Sequence, residues 1–261
     1  MAFVLDKQGE YLPVFGESEG GGGQDPNFLP DGTIITIKSN GTGDYTDIGS
    51  AISYLSDKWS SGTVKISVSA ETFTLSSPII INNPNLNLII EGQGTSSSFI
   101  KVNYNDTLTA DYAMFTLQNG ANVCFKDIKI GTEKDTQPDL YNHKIILVAE
   151  TSFLKLDNVL FNGMSRCIQA NSSTTVYALS NCEFTNARWG IFLAGGELLM
   201  NYQLKFTLTN IALAFRISNG GTIKFWSLQL DNTNVTDICN ESIDTSYVSK
   251  QGLLFGSYTI L

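Results

Sequence analysis

The chain has 261 residues and carries a net charge of −9, with only 16% of its residues charged. That balance excludes nucleic acid and anionic lipid as partners of a broad basic face, and no apolar run reaches the 18 residues of a membrane span. Four cysteines without a Cys-x-x-Cys or a metal-ligand spacing point to neither a disulfide framework nor a metal, and no cofactor motif occurs.

Residues 1–32 differ in character from the rest of the chain. Phe3-Val4-Leu5 and Tyr11-Leu12-Pro13-Val14-Phe15 are two short apolar patches ahead of Gly20-Gly21-Gly22-Gly23 and a turn region from Pro26 to Pro30. Four consecutive glycines form a flexible tether, and a tail this rich in Phe, Tyr, Leu and Val is expected to fold onto a partner. Phe3, Val4, Leu5, Tyr11, Leu12, Val14 and Phe15 are the candidate docking residues. Asp6 and Lys7 interrupt the first patch before it reaches the length of a signal-peptide core, so assembly in a cytoplasm is expected.

From residue 33 the pattern changes. Ile48, Ile52 and Leu55 recur at helical spacing behind Asp47, a natural N-cap, which predicts a short helix. Strand-like runs occupy 62–68, 73–75, 78–81 and 86–94.

Between Val123 and Leu230 one pattern returns five times. It first reads Val123-x-Phe125-x-Asp127-Ile128-x-Ile130, then begins again at Leu154, Tyr177, Leu199 and Ile223, at spacings of 31, 23, 22 and 24 residues. A period in the low twenties with alternation inside each copy predicts stacked coils of strands, an all-β right-handed single-stranded parallel β-helix with a short N-terminal capping helix. Ile128, Val159, Cys182, Leu204 and Leu228 are the expected inward column. Asp127, Asn158, Asn181, Gln203 and Ser227 are the expected ladder at an internal bend. The longer first spacing places an excursion at 131–144, holding Glu133, Lys134, Asp135, Pro138, Asp139, Tyr141 and the single histidine, His143. The solenoid is expected to span 33–242, with a cap over 33–62. An apolar tail at 243–261 is expected to cap it or pair with another chain.

Gly41-Thr-Gly-Asp-Tyr-Thr-Asp-Ile-Gly-Ser-Ala-Ile-Ser-Tyr-Leu55 resembles the N-terminal cap of the pectin-lyase-like β-helix superfamily, and the likeness extends over roughly 33–240. The superfamily hosts lyases, hydrolases, esterases and inert viral fibres, so the resemblance implies a fold more than an activity. The Gly-His-Gly and Arg-Ile-Lys of polygalacturonase-like members and the Gly-Arg-Pro-Trp of pectin-methylesterase-like members do not occur; Arg216-Ile217-Ser218 is the nearest approach. Resemblance to bacteriophage tail fibres implies a virion structural protein, attached through residues 1–32 to other virion proteins, forming a homotrimer and contributing to binding of a host surface glycan. Alternatives are a tailspike depolymerase cleaving host capsule and a bacterial surface adhesin.

The outer face decides between these readings. Its expected columns are Cys124, Lys155, Ala178, Met200, Lys224; Lys126, Asp157, Ser180, Tyr202, Trp226; and Lys129, Leu160, Glu183, Lys205, Gln229. Glycoside hydrolysis needs two carboxylates roughly 5–10 Å apart. Only Asp157 and Glu183 qualify by residue type, and Lys126 and Lys205 in their columns make them structural ion pairs instead. No catalytic residue is expected; were the chain an enzyme, Asp157, Glu183, Asp135 and Asp139 would be the suspects. Tyr202 and Trp226, with Met200 nearby and Trp189 in a connecting segment, are the candidate binding residues for a sugar or a neighbouring subunit.

Overall fold

The computed structural model of the protein describes residues 2–5, 11–14, 25–103, 111–134, 142–200, 204–224, 228–239 and 253–254. The chain opens with an antiparallel hairpin of β1 (Ala2–Leu5) and β2 (Tyr11–Val14). Next comes a capping region: β3 (Phe28–Leu29), β4 (Thr33–Ile37), α1 (Ile48–Leu55) and β5 (Trp59–Ser60). The ascending coils are β6 (Thr63–Val68), β7 (Thr72–Leu75), β8 (Ile79–Ile81), β9 (Asn87–Glu91), β10 (Phe99–Val102), β11 (Ala113–Leu117), β12 (Asn122–Gly131) and β13 (Lys144–Val148). Above them come β14 (Phe153–Asn162), β15 (Arg166–Asn171), β16 (Thr175–Ala178), β17 (Cys182–Ala194) and β18 (Glu197–Met200). The last elements are β19 (Leu204–Ser218), β20 (Thr222–Lys224), β21 (Leu228–Cys239) and β22 (Leu253–Leu254).

Pairings between the named coil strands are all parallel and sort into three faces of a right-handed parallel β-helix. The first sheet runs β4, β6, β9, then the leading parts of β12 and β14, then β16, β18 and β20. A second sheet joins β7, β10, the trailing parts of β12 and β14, and the leading parts of β17, β19 and β21. The third sheet joins β8, β11, β13, β15 and the trailing parts of β17 and β19. Alternation produces this directly: β6 buries Val64, Ile66 and Val68 and turns Thr63, Lys65 and Ser67 outward. The helix forms as the spacing predicts, with the Asp47 carboxylate accepting from Ser50 N–H and Ile48, Ala51, Ile52 and Leu55 buried over the first coil.

Inside, Val123, Leu154, Val176, Leu198 and Ile223 stack one per coil. Phe161 and Phe184 stack at 5.2 Å, and Phe206 meets Phe184 at 5.3 Å. Burying each of these side chains contributes about 2–3 kcal/mol.

The expected register holds for the first two copies and slips in the third. Leu156 pairs with Ala178 but Val159 pairs with Cys182, so the corner between them has gained a residue. Val176 and Ala178 therefore face inward in place of Tyr177 and Leu179, and in the next coil Leu198 and Met200 do so. Ala178 and Met200 are buried, not outward as expected, because a one-residue slip exchanges the two faces of a strand. Cys124 is outward in register yet also buried, beneath its neighbours Ile89 and Lys155. The inward column begins Ile128, Val159, Cys182 as expected; Phe206 stands next above Cys182, and Leu204 pairs with Leu228 elsewhere.

Two asparagine ladders turn the corners. Asp127 and Asn158, both in the left-handed region at φ 48° and 55°, are joined by an Asn158 Nδ2 to Asp127 Oδ1 bond of 2.7 Å. Asn158 is exposed, so this ladder is external rather than internal. The longer ladder lies at a different corner, one the apolar repeat does not mark. Asn186 donates to Asn162 Oδ1 at 2.8 Å, Asn210 to Asn186 at 2.8 Å and Asn234 to Asn210 at 3.0 Å. Asn tolerates φ near +53° better than other non-glycine residues, so one residue supplies both the bend and the coil-to-coil bond. Gln203, Ser227, the 240–252 and 255–261 segments and loop residues 135–141 lie outside the described residues.

Candidate functional site

The chain has only three arginines, Arg166, Arg188 and Arg216. Scattered in sequence, they converge at the start of the third sheet. Arg166 opens β15, Arg188 and Trp189 lie in β17, and Arg216 lies in β19, on three successive coils. Parallel register sets Trp189 beside Arg166, and sets Gln169, Phe192 and Arg216 in one column. Gly190 comes after Trp189 where any Cβ would lie 2.7 Å from the Ala214 carbonyl oxygen, so the coils close tightly beside the indole only because this residue has none.

All three guanidiniums lie over the rings. The Cζ of Arg216 is 4.0 Å from the Trp189 centroid, that of Arg166 4.6 Å and that of Arg188 4.8 Å. Arg166 and Arg216 also reach Phe192, at 4.9 and 5.2 Å, and the two rings meet at 5.4 Å. Each such contact is worth about 0.5–2 kcal/mol and fixes the guanidinium plane. Arg166 is buried, donating from Nη2 to Asn142 Oδ1 at 2.6 Å and from Nη1 to Gln169 Oε1, while its Nε–H has no acceptor among the described residues. Burial, followed by the nearby Arg216 charge, pulls its pKa down to about 10. Lys144, paired with Arg166 in register, is also buried and has its pKa lowered by desolvation. The Asp111 carboxylate, 3.4 Å from Lys144 Nζ, is the acid described beside this group.

The first sheet treats charge in the opposite way. Glu91 accepts from Lys65 and Lys126, each at 2.8 Å, and its pKa is lowered by hydrogen bonds from Lys126 and Lys65. Every ion pair between described residues is made by a lysine. The arginines make none among the described residues.

The other expected site residues are dispersed. Trp189 belongs to the patch, but as a buried strand residue rather than part of a connecting segment. Met200 is core. Tyr202 and Trp226 lie outside the described residues, as do Asp135 and Asp139. Phe3, Val4, Leu5, Tyr11, Leu12 and Val14 lie in the hairpin strands, where only the backbone is described; Phe15 lies outside. Asp157 stands on the first sheet beside Lys126, while Glu183 stands on the second, beside Leu160 and Thr207. The two acids occupy different faces, and Lys205 does not share Glu183's column because the register slipped. His143 and Lys144, expected in the surface excursion, are buried where β13 begins. Cys124, Cys167 and Cys182 are buried free thiols whose pKa values burial raises.

A cleft of about 520 Å³ between α1 and β8 is lined mostly by serines, asparagines and aliphatics. Its one carboxylate, Asp47, is occupied as the N-cap of α1, accepting from the Ser50 N–H and the Ser50 hydroxyl, so the site is better placed at the arginines.

No family model matches the sequence, and no curated protein matches it. Among solved structures, the chain is similar to a pectin methylesterase from carrot, at 13% identity over 84% of this chain and 86% of that one, with a TM-score of 0.40. It is similar also to a pectin methylesterase from Aspergillus niger, at 12% identity over 81% of each chain, with a TM-score of 0.41. The strand pairing within the chain itself shows a parallel β-helix. Likenesses this distant concern the backbone and carry no residue roles across.

Proposed function

We propose that this β-helix is an attachment protein of a bacteriophage particle, tail-fibre or spike-like, which binds a glycan of the host surface on its outer face without cleaving it. The observation that carries the binding role is the convergence of Arg166, Arg188 and Arg216 on Trp189 and Phe192. Polar forks set beside flat rings are the equipment of a sugar-binding surface. The virion placement rests on the resemblance to phage fibres and on the hairpin and glycine tether that precede the coils. Three copies side by side would present three hairpins at one end and raise their effective concentration on the particle. Incubating the chain with purified host capsular polysaccharide, then comparing retention and polymer length, tests the reading. Retention at unchanged length is expected. Shortened polymer would instead make it a depolymerase and turn attention to Asp157, Glu183 and the acids of the 131–144 loop.

A further inference from the structure

We infer that the outward patch of Arg188 and Arg216, held over Trp189 and beside Phe192, binds a tetrahedral oxyanion, a phosphate or sulfate substituent of the glycan, with Arg166 behind it as a positioning charge. The inference rests on the glycan-binding reading above and narrows it to a chemical class.

Three observations support it. First, the charge is unspent: a chain of net −9 gathers all its arginines in one place, with no carboxylate paired to any of them among the described residues. Second, Arg166 is buried with its Nε–H lacking an acceptor among the described residues, and lies close enough to Arg216 to feel its charge. Asp111 is the one described carboxylate whose charge reaches Arg166, and a neutral sugar would add no further counter-charge to the three guanidiniums. Third, the two forks that face the ligand, Arg188 and Arg216, come from successive coils about 4.8 Å apart, so they reach it from different heights. A planar carboxylate is satisfied by a single fork, whereas a tetrahedral oxyanion offers oxygens in several directions to guanidiniums on adjacent coils. The rings shield one side of the guanidiniums from water and strengthen the attraction.

Tryptophan fluorescence and calorimetry with the full chain provide the test, using poly(glycerol phosphate), dextran sulfate, polygalacturonate and unmodified dextran as probes. Retention of either of the first two is expected, weakening with ionic strength, and the one retained names the source of the oxyanion. Arg188→Gln and Arg216→Gln should each lower affinity at least tenfold, with Arg216→Lys intermediate because an ammonium has no fork. Arg166→Gln should flatten the salt dependence and Arg166→Lys preserve it, which a purely structural role would not produce. Polygalacturonate bound as tightly as the phosphate and sulfate polymers would overturn the oxyanion assignment while leaving glycan binding standing. So would dextran bound with an affinity that Arg188→Gln and Arg216→Gln leave unmoved, or a salt dependence unchanged in both variants. If neither these probes nor host polysaccharide is retained, the parent reading falls as well.

Discussion

The first and third sheets of the same solenoid put their cations to opposite use. On the first, Lys65, Glu91 and Lys126 form a ladder in which one carboxylate satisfies an ammonium from the coil below and another from the coil above. On the third, Arg166, Arg188 and Arg216 gather around two rings, and no described acid pairs with them. A paired charge holds coils together and has little left for a ligand. A charge held against an aromatic face keeps its field and its free hydrogen-bond donors. The difference separates the part of the surface built for stability from the part built for recognition, and it can be broken from either side.

The largest effect is expected on binding. Arg216→Gln should lower glycan affinity by about 10- to 100-fold, equivalent to about 1.4–2.8 kcal/mol, and should cost stability through its two ring contacts, about 0.5–2 kcal/mol each. Lys126→Gln should leave affinity alone. Equal losses of affinity from the two, measured by calorimetry, would erase the distinction between the faces.

Next in size is the corner that feeds the third sheet. Asn210→Ala removes the bonds to Asn186 and Asn234 and places a Cβ-bearing residue without a local hydrogen bond at φ 53°. Two lost bonds at about 1 kcal/mol each and about 1 kcal/mol of left-handed strain should appear in urea melts, and the patch should weaken with the corner. Asn210→Gly, which keeps the backbone freedom, should cost less. Asn158→Ala at the exposed corner removes one described bond at about 1 kcal/mol and meets the same strain at φ 55°, so it should cost about 2 kcal/mol.

The smallest effect concerns the paired face. Glu91 has a pKa held below its ordinary value by Lys126 and Lys65. A depressed carboxylate contributes stability above its ordinary pKa, and that contribution is lost as pH falls through the folded value. Glu91→Gln should therefore cost about 1 kcal/mol near neutrality and nothing once acid has protonated the wild-type side chain. Melts across that range check the sign: a penalty that grows toward acid would contradict the ladder.

How far each feature is legible in the sequence depends on the range of the interactions that produce it. The solenoid, the capping helix and the first two copies rest on local alternation and one N-cap, and both can be read without coordinates. Ala178 and Met200 escape such a reading, because a single added corner residue leaves the apolar pattern looking intact while exchanging the faces, and Phe206 escapes it because the next corner is two residues longer still, which moves the column along by two without changing its face. The long ladder does leave a mark, Thr-Asn at 185–186, 209–210 and 233–234, a strict 24-residue period that an apolar template passes over. The arginine patch leaves none. Its members sit at unequal spacings of 22 and 28 residues and enter from different column positions, and only their long stems bring the guanidiniums onto one indole.

Hydrogen exchange of the full chain with and without a retained host glycan tests the central claim most directly. Protection is predicted at 188–192 in β17 and 213–217 in β19, with the first-sheet strands around Lys65, Glu91 and Lys126 unchanged. Protection confined to the first sheet, with the arginine-bearing strands exchanging as freely as before, would contradict it.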